Sequence, residues 1–272
     1  MNRSAVLFLV LGIAACQPGG DRTLAAIFEG RAGAWIDLTH PFSDSTIYWP
    51  TDTVGFLHPQ LAFGPTPGGW FYSSYGYAGA EHGGTHLDAP IHFAEGRWTS
   101  DEIPLSSLIG PAVVVDVTDR ATPDYLATVA DLEGWEAAHG MIPDGAILLL
   151  RTGWGARYAD REAYLGTALT GPEAVPALHF PGLAPEAAQW LVDHRHIAAF
   201  GLDTPSVDYG QSTDFQTHVI LYTQNIPGFE NVANLDQLPE AGGFVVALPM
   251  KISGGSGGPL RIVAFVPGAV AP

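Results

Sequence analysis

The chain has 272 residues and a formal net charge of −17, with 47% hydrophobic and 14% charged residues. That balance describes a globule with an acidic surface and not a disordered polyanion, and its charge excludes a nucleic-acid binder, since a phosphate backbone repels such a surface. The single cysteine, Cys16, excludes an intramolecular disulfide, a cysteine-based zinc site and a catalytic thiol in the folded part of the chain.

The N-terminus reads Met1-Asn2-Arg3, then an apolar run from Ala5 to Ile13, then Ala14-Ala15-Cys16. The run is shorter than the roughly 20 residues that span a bilayer, and the whole reads as a secretory signal peptide over 1–15. Ile13-Ala14-Ala15-Cys16 also resembles a bacterial lipobox, in which cleavage precedes the cysteine and the cysteine is acylated. Gln17 stands where an aspartate would retain a lipoprotein at the inner membrane, which favours the outer membrane, facing the periplasm. An ordinary signal peptide with a chance cysteine is the alternative. The expected organisation is therefore a signal peptide over 1–15, a lipidated Cys16 and tether over 16–33, and one folded domain over 34–272. Membrane contact is expected only through the lipid.

Within the domain, Trp70-Phe71-Tyr72-Ser73-Ser74-Tyr75-Gly76-Tyr77 reads as a strand with alternate side chains packed inward. Its rings, with Trp49 and Trp98, are also candidates to line a pocket for a flat aromatic molecule. The next segment is Glu81-His82-Gly83-Gly84-Thr85-His86-Leu87-Asp88-Ala89-Pro90-Ile91-His92-Phe93. Neutral imidazole and carboxylate suit zinc, manganese or iron(II). On a helix His86 and Asp88 would face apart, and Pro90 would break the interior. A straight strand over 82–92 puts the polar residues on one face but runs roughly 33 Å at about 3.3 Å per residue, whereas metal–ligand bonds are about 2 Å. The chain must bend, and Gly83-Gly84 and Pro90 are placed to allow it. His82, His86 and Asp88 then read as ligands on a turn entering a short strand, with His92 nearby and outside the ligand set. A histidine-rich surface loop is the alternative.

Further along, apolar β-branched runs at 113–117, 147–150, 244–248 and 262–266 predict strands. Residues 131–139 and 185–194 predict helices, the second with a proline near its start. This is a mixed α/β, strand-rich domain. His194 and His196 suit a helix C-terminus, metal binding being the alternative, and Asp203 reads either as a structural acid or as one that supports a ligand. Gly254-Gly255-Ser256-Gly257-Gly258 formally matches the nucleophile elbow of serine hydrolases. That elbow needs a following helix and later Asp and His partners; the residues after Gly258 hold none of these, so serine chemistry is set aside.

The pattern His82-x-Gly84-Thr85-His86-x-Asp88-x-Pro90-x-His92 resembles the signature of the cyclase family, which includes bacterial kynurenine formamidase and isatin hydrolase. Ile36-Asp37-Leu38-Thr39-His40 is similar to the family's opening strand, and Tyr48-Trp49-Pro50-Thr51-Asp52 to its following loop, although the family more often has glycine where Thr51 sits. Leu150-Arg151-Thr152-Gly153-Trp154 and Gly201-Leu202-Asp203-Thr204-Pro205 extend the likeness over most of the chain.

The resemblance implies a second ligand pair, a histidine and a glutamate twelve residues apart, a spacing met by His218 and Glu230. It implies one or two divalent ions, zinc or manganese, bridged by Asp88 if two bind, and a swivelling β/β/α fold that is commonly a homodimer. The implied activity is hydrolysis of an amide-type C–N bond in a small aromatic N-acyl or lactam substrate, N-formylkynurenine-like or isatin-like, by hydroxide generated on the metal. His92 would be the general acid/base for the leaving nitrogen, a purely structural His92 being the alternative. Trp49 would contact substrate. The rival reading is a non-catalytic metal- or ligand-binding lipoprotein on the same scaffold.

Overall fold

The computed structural model describes residues 24–269, so the signal peptide over 1–15 and the lipidation at Cys16 lie outside the described residues. The described part of the expected tether carries a short helix, α1 (Leu24–Phe28), and the first strand, β1 (Gly33–Asp37), begins at its end. A hairpin, β2 (Gln60–Pro65) and β3 (Phe71–Tyr75), precedes the three-residue strand β4 (His86–Asp88). Then come β5 (Ile109–Asp116), β6 (Leu126–Ala127), α2 (Val129–His139), β7 (Ile147–Arg151), α3 (Arg161–Leu165), β8 (Gly182–Leu183) and α4 (Pro185–His194). The chain ends through β9 (Ala199–Leu202), α5 (Gln216–Thr223), β10 (Gly228–Glu230), β11 (Ala241–Pro249) and β12 (Gly257–Pro267).

Seven strands close on themselves in the order β12-β11-β5-β7-β9-β10-β4, because β4 also pairs with the start of β12, and β1 adds to the far end of β12. The four strands β5, β7, β9 and β10 run parallel and the other pairings in this sheet are antiparallel. The period-two alternation of a strand divides the apolar residues between two cores. Leu87, Val114, Leu149, Phe229, Val245 and Ile262 pack together inside the closed sheet. Their neighbours Val113, Val115, Leu148 and Leu150 face outward and are covered by α2, α4 and α5 through Leu132, Trp135, Leu191 and Leu221. Strands buried on both faces read as unbroken apolar runs, as β5 and β7 do. The expected strands at 147–150, 244–248 and 262–266 fall inside β7, β11 and β12, and 113–117 overlaps β5, which ends at Asp116, although the outer face of β11 leaves Phe244 and Leu248 exposed.

Helix α2 opens with a capping box, in which Thr128 and Asp131 satisfy each other's backbone N–H groups. Helix α4 opens on Pro185, whose fixed φ suits the first turn. Both coincide with the helices expected from sequence. The aromatic run 70–77 does not behave as expected. It forms β3, but the β2–β3 hairpin is a separate two-stranded sheet, and Leu61, Phe63, Trp70, Phe71 and Tyr72 are more than half exposed. A lone two-stranded ribbon has no second layer of its own chain to pack against, so alternation here does not bury either face.

Candidate metal centre

The histidine segment is neither a helix nor a straight strand. Gly84 adopts a left-handed φ of 57°, which glycine tolerates without strain. Beside it, a Cβ on Gly83 would stand 2.1 Å from the Tyr48 ring, so the bend is pressed against an aromatic wall. After the bend, β4 carries His86 and Asp88, and a single 3-10 turn at Pro90–His92 swings His92 back. Strand β10 lies antiparallel to β4 with Glu230 opposite His86. Helix α5 brings His218 in from the outer layer, where it packs against Phe93 with ring centroids 4.3 Å apart.

Three imidazoles and two carboxylates thus converge from three elements. Nδ1 of His82 lies 2.7 Å from Oδ1 of Asp88, and Nε2 of His86 lies 3.1 Å from the same oxygen. Nε2 of His218 is 3.4 Å from Oδ2 of Asp88 and 3.3 Å from Oε1 of Glu230, whose Oε2 is 3.4 Å from Nε2 of His86. All but His82 are buried. His82, His86 and Asp88 form one set of facing ligand atoms and Asp88, His218 and Glu230 another, with Asp88 common to both.

The surrounding bonds aim these side chains. The Nδ1–H of His86 donates to the Gly84 carbonyl, which leaves Nε2 facing the two carboxylates. That Nε2 is buried and makes no hydrogen bond of acceptable direction. An imidazole nitrogen aimed at two carboxylate oxygens and bonded to neither is the arrangement a cation completes, and a set of imidazole and carboxylate donors suits zinc or manganese. The Nδ1–H of His218 donates to Asp208, 2.5 Å away, and the Tyr222 hydroxyl donates to Oδ2 of Asp88 at 2.8 Å. Asn231 ties the two ligand segments together, its Nδ2 donating to the Gly84 carbonyl and its own carbonyl accepting from Oγ1 of Thr85.

Electrostatics agree with the geometry. Burial alone would lower the pKa of His86, but the facing carboxylates of Asp88 and Glu230 outweigh it and raise it to about 9. Burial would raise Asp88, but His82, His218 and His86 hold it well below the usual carboxylate range. Glu230 is pushed up by burial and by the charge of Asp88. Protonated imidazoles supply positive charge to this cluster, a task a divalent ion would take over.

His92 stacks on His82 with ring centroids 3.8 Å apart, and burial pulls its pKa down to about 4. It borders a cavity of about 300 Å³ that also exposes the five candidate ligands and is walled by Trp49, Phe93 and Phe215. The structure therefore brings together His82, His86, Asp88, His92, His218, Glu230 and Trp49. Trp98 instead packs on the barrel core, and the rings of 70–77 do not line the cavity. His194 closes α4 and His196 pairs with Asp144 at the surface, both away from the cluster. Asp203 is buried and accepts from the amide and hydroxyl of Thr152. Sequence reasoning missed Asp208, Tyr222, Phe215 and Asn231. Only Tyr222 carried a local signal, lying one helical turn after His218.

The chain is similar to proteins of known family. The Cyclase family model ("Putative cyclase") matches residues 36–209. The isatin hydrolase of Roseibium aggregatum is 37% identical over 199 residues, covering 70% of this chain and 73% of the relative. The kynurenine formamidase of Salinibacter ruber is 32% identical over 182 residues, covering 67% and 74%. A solved isatin hydrolase bound to the product analogue thioisatinate superposes with a TM-score of 0.80 at 29% identity, covering 89% of this chain and 95% of that one. The chain belongs to the cyclase family of metal-dependent hydrolases.

Proposed function

We propose that this protein hydrolyses the amide C–N bond of a small aromatic N-acyl or lactam substrate, of the N-formylkynurenine or isatin type, with His82, His86, Asp88, His218 and Glu230 holding one or two zinc or manganese ions. The observation that carries the proposal is the buried His86 nitrogen facing Asp88 and Glu230 without a hydrogen bond, at the floor of an aromatic-walled cavity. When bound, a divalent ion supplies Lewis acidity, which polarises a carbonyl and brings the ionisation of water toward neutral pH. The chain's own residues do the rest. Trp49, Phe93 and Phe215 offer flat apolar surface to an aryl ring. Asp208 and Tyr222 hold His218 and Asp88 in place. His92 is neutral at neutral pH, so it accepts the proton that the attacking water loses and returns it to the departing nitrogen. The water oxygen thus ends on the carbonyl carbon, one of its protons ends on the departing nitrogen, and the other stays with the new carboxyl group until that group ionises.

The test is turnover of N-formylkynurenine, isatin and related aryl amides, lactams and esters by zinc- or manganese-loaded protein, with His86→Ala alongside. Hydrolysis by the wild type and none by the variant is the expected outcome. Metal-loaded protein that hydrolyses nothing in the panel would favour the binding-protein reading.

The finer organisation is also proposed. The sequence 1–17 supports export and an acyl chain on Cys16, in the outer membrane and facing the periplasm, so Cys16→Ala should move the protein from the membrane to the soluble fraction. The apolar β2–β3 hairpin supports a homodimer.

A further inference from the structure

The glycine-rich loop set aside as a nucleophile elbow lies directly behind the metal centre. Oγ of Ser256 is 2.9 Å from Nε2 of His82, whose Nδ1 faces Asp88 on the opposite side of the ring. The same Oγ is 2.7 Å from Oε2 of Glu81, which also accepts from the backbone N–H groups of Ser256 at 2.8 Å and Gly257 at 3.2 Å. A carboxylate accepts hydrogen bonds and donates none, while a hydroxyl has one proton to give and can accept in return. The Ser256 proton therefore goes to Glu81, and the hydroxyl oxygen accepts from the Nε2–H of His82.

The glycines make this approach physically available. A Cβ on Gly257 would stand 2.5 Å from the Leu87 carbonyl oxygen and 2.6 Å from Cε1 of His82, and one on Gly255 would stand 3.0 Å from Oε1 of Glu81. Only a bare backbone lets the loop close on both side chains.

We propose that Glu81 and Ser256 are positioning residues that hold a proton on Nε2 of His82 and set its ring, so that Nδ1, the nitrogen facing Asp88, is the one it offers to the metal. Histidine ligands are held this way by a hydrogen-bond acceptor on the far nitrogen, and here the acceptor is a hydroxyl whose own orientation a carboxylate sets. The inference rests on the metal-centre reading above. Asp88, His82 and Ser256 also stand at the distances of a serine-hydrolase triad, but there the histidine must accept the serine proton. With that proton given to Glu81, Ser256 is not a nucleophile.

The experiment uses zinc-loaded protein carrying 15N-labelled histidine, in long-range proton–nitrogen correlation spectra, together with zinc affinity by chelator competition. The wild type should show His82 bound to the metal through Nδ1 and protonated on Nε2. Ser256→Ala should weaken zinc about 10–100-fold, and Ser256→Thr, which keeps the hydroxyl, should restore the affinity. Glu81→Ala frees the Ser256 proton to turn toward His82, so it should weaken zinc as well. Zinc affinity unchanged in both alanine variants overturns the proposal, as does a wild type whose His82 binds zinc through Nε2. So does a Ser256→Ala variant that binds zinc normally and has lost all hydrolysis, since that assigns Ser256 to the chemistry. A wild type that binds no zinc contradicts the metal-centre reading, whereas zinc bound equally well by wild type and variants contradicts only the positioning of His82.

Discussion

His92 and His86 sit six residues apart and face one cavity, yet their environments give them different tasks. His92 has lost its protonated form to burial, whereas the carboxylates around His86 hold a proton on it up to about pH 9. His92→Ala should therefore keep its metal and lose about 10²–10⁴-fold in turnover; elemental analysis beside steady-state rates separates this from a ligand role, in which the metal would leave too. For His86 the sign runs the other way. A raised pKa means the metal-free protein favours the proton below about pH 9, and a metal must displace it. Zinc affinity should rise with pH through neutrality, and calorimetry at pH 7 in buffers of different ionisation enthalpy should count released protons. Binding without proton release would contradict the assignment of His86. The segment 82–92 was legible because its ligands are local and its glycines and proline announce the bends. His218 and Glu230 were reachable only through the family resemblance, because nothing in their own surroundings distinguishes them from a helix histidine and a strand acid. Asp208 is joined to its partner His218 by folding, across a loop, and left no periodic trace.

At the scale of elements, the centre depends on the antiparallel pairing of β4 with β10 and on the docking of α5 against it. Gly228 marks the closest point, where an added Cβ would come within 2.3 Å of the Tyr222 hydroxyl. Gly228→Ala should push that hydroxyl away from Asp88, destabilise the fold by about 1–3 kcal/mol and weaken metal binding, as read by denaturant melts and chelator competition. Leu149→Ala, in the closed interior, should cost about 2–5 kcal/mol without altering the metal content of the folded fraction. The strands that carry this interior were readable as apolar runs. Helix α5 was not, because Gln216-Thr217-His218-Val219-Ile220-Leu221-Tyr222-Thr223 is rich in β-branched and aromatic residues of modest helix propensity. Burial of Thr217, His218, Leu221 and Tyr222 on one side overrides that preference.

Across the whole molecule, the strand-rich α/β class followed from pattern, while closure of the sheet did not. Closure rests on β4, three residues long, pairing with both β10 and the start of β12, and a strand of that length has no signature of its own. The hairpin was misjudged for the opposite reason: its alternation is clear, but the layer that would cover it is missing from a single chain. If a second copy covers it, sedimentation should give a dimer, and the pair Phe63→Ser with Phe71→Ser should give a monomer whose metal content is unchanged. A wild-type monomer at micromolar concentration would contradict that assembly. No helix among the described residues is long and apolar enough to cross a membrane.

The account turns on whether His82, His86, Asp88, His218 and Glu230 hold a metal. Elemental analysis of the purified protein, with His86→Ala measured in parallel, tests this most directly. The account predicts stoichiometric zinc or manganese in the wild type, one or two ions per chain, and a marked loss in the variant. A wild type that stays free of metal after reconstitution with both ions would contradict it.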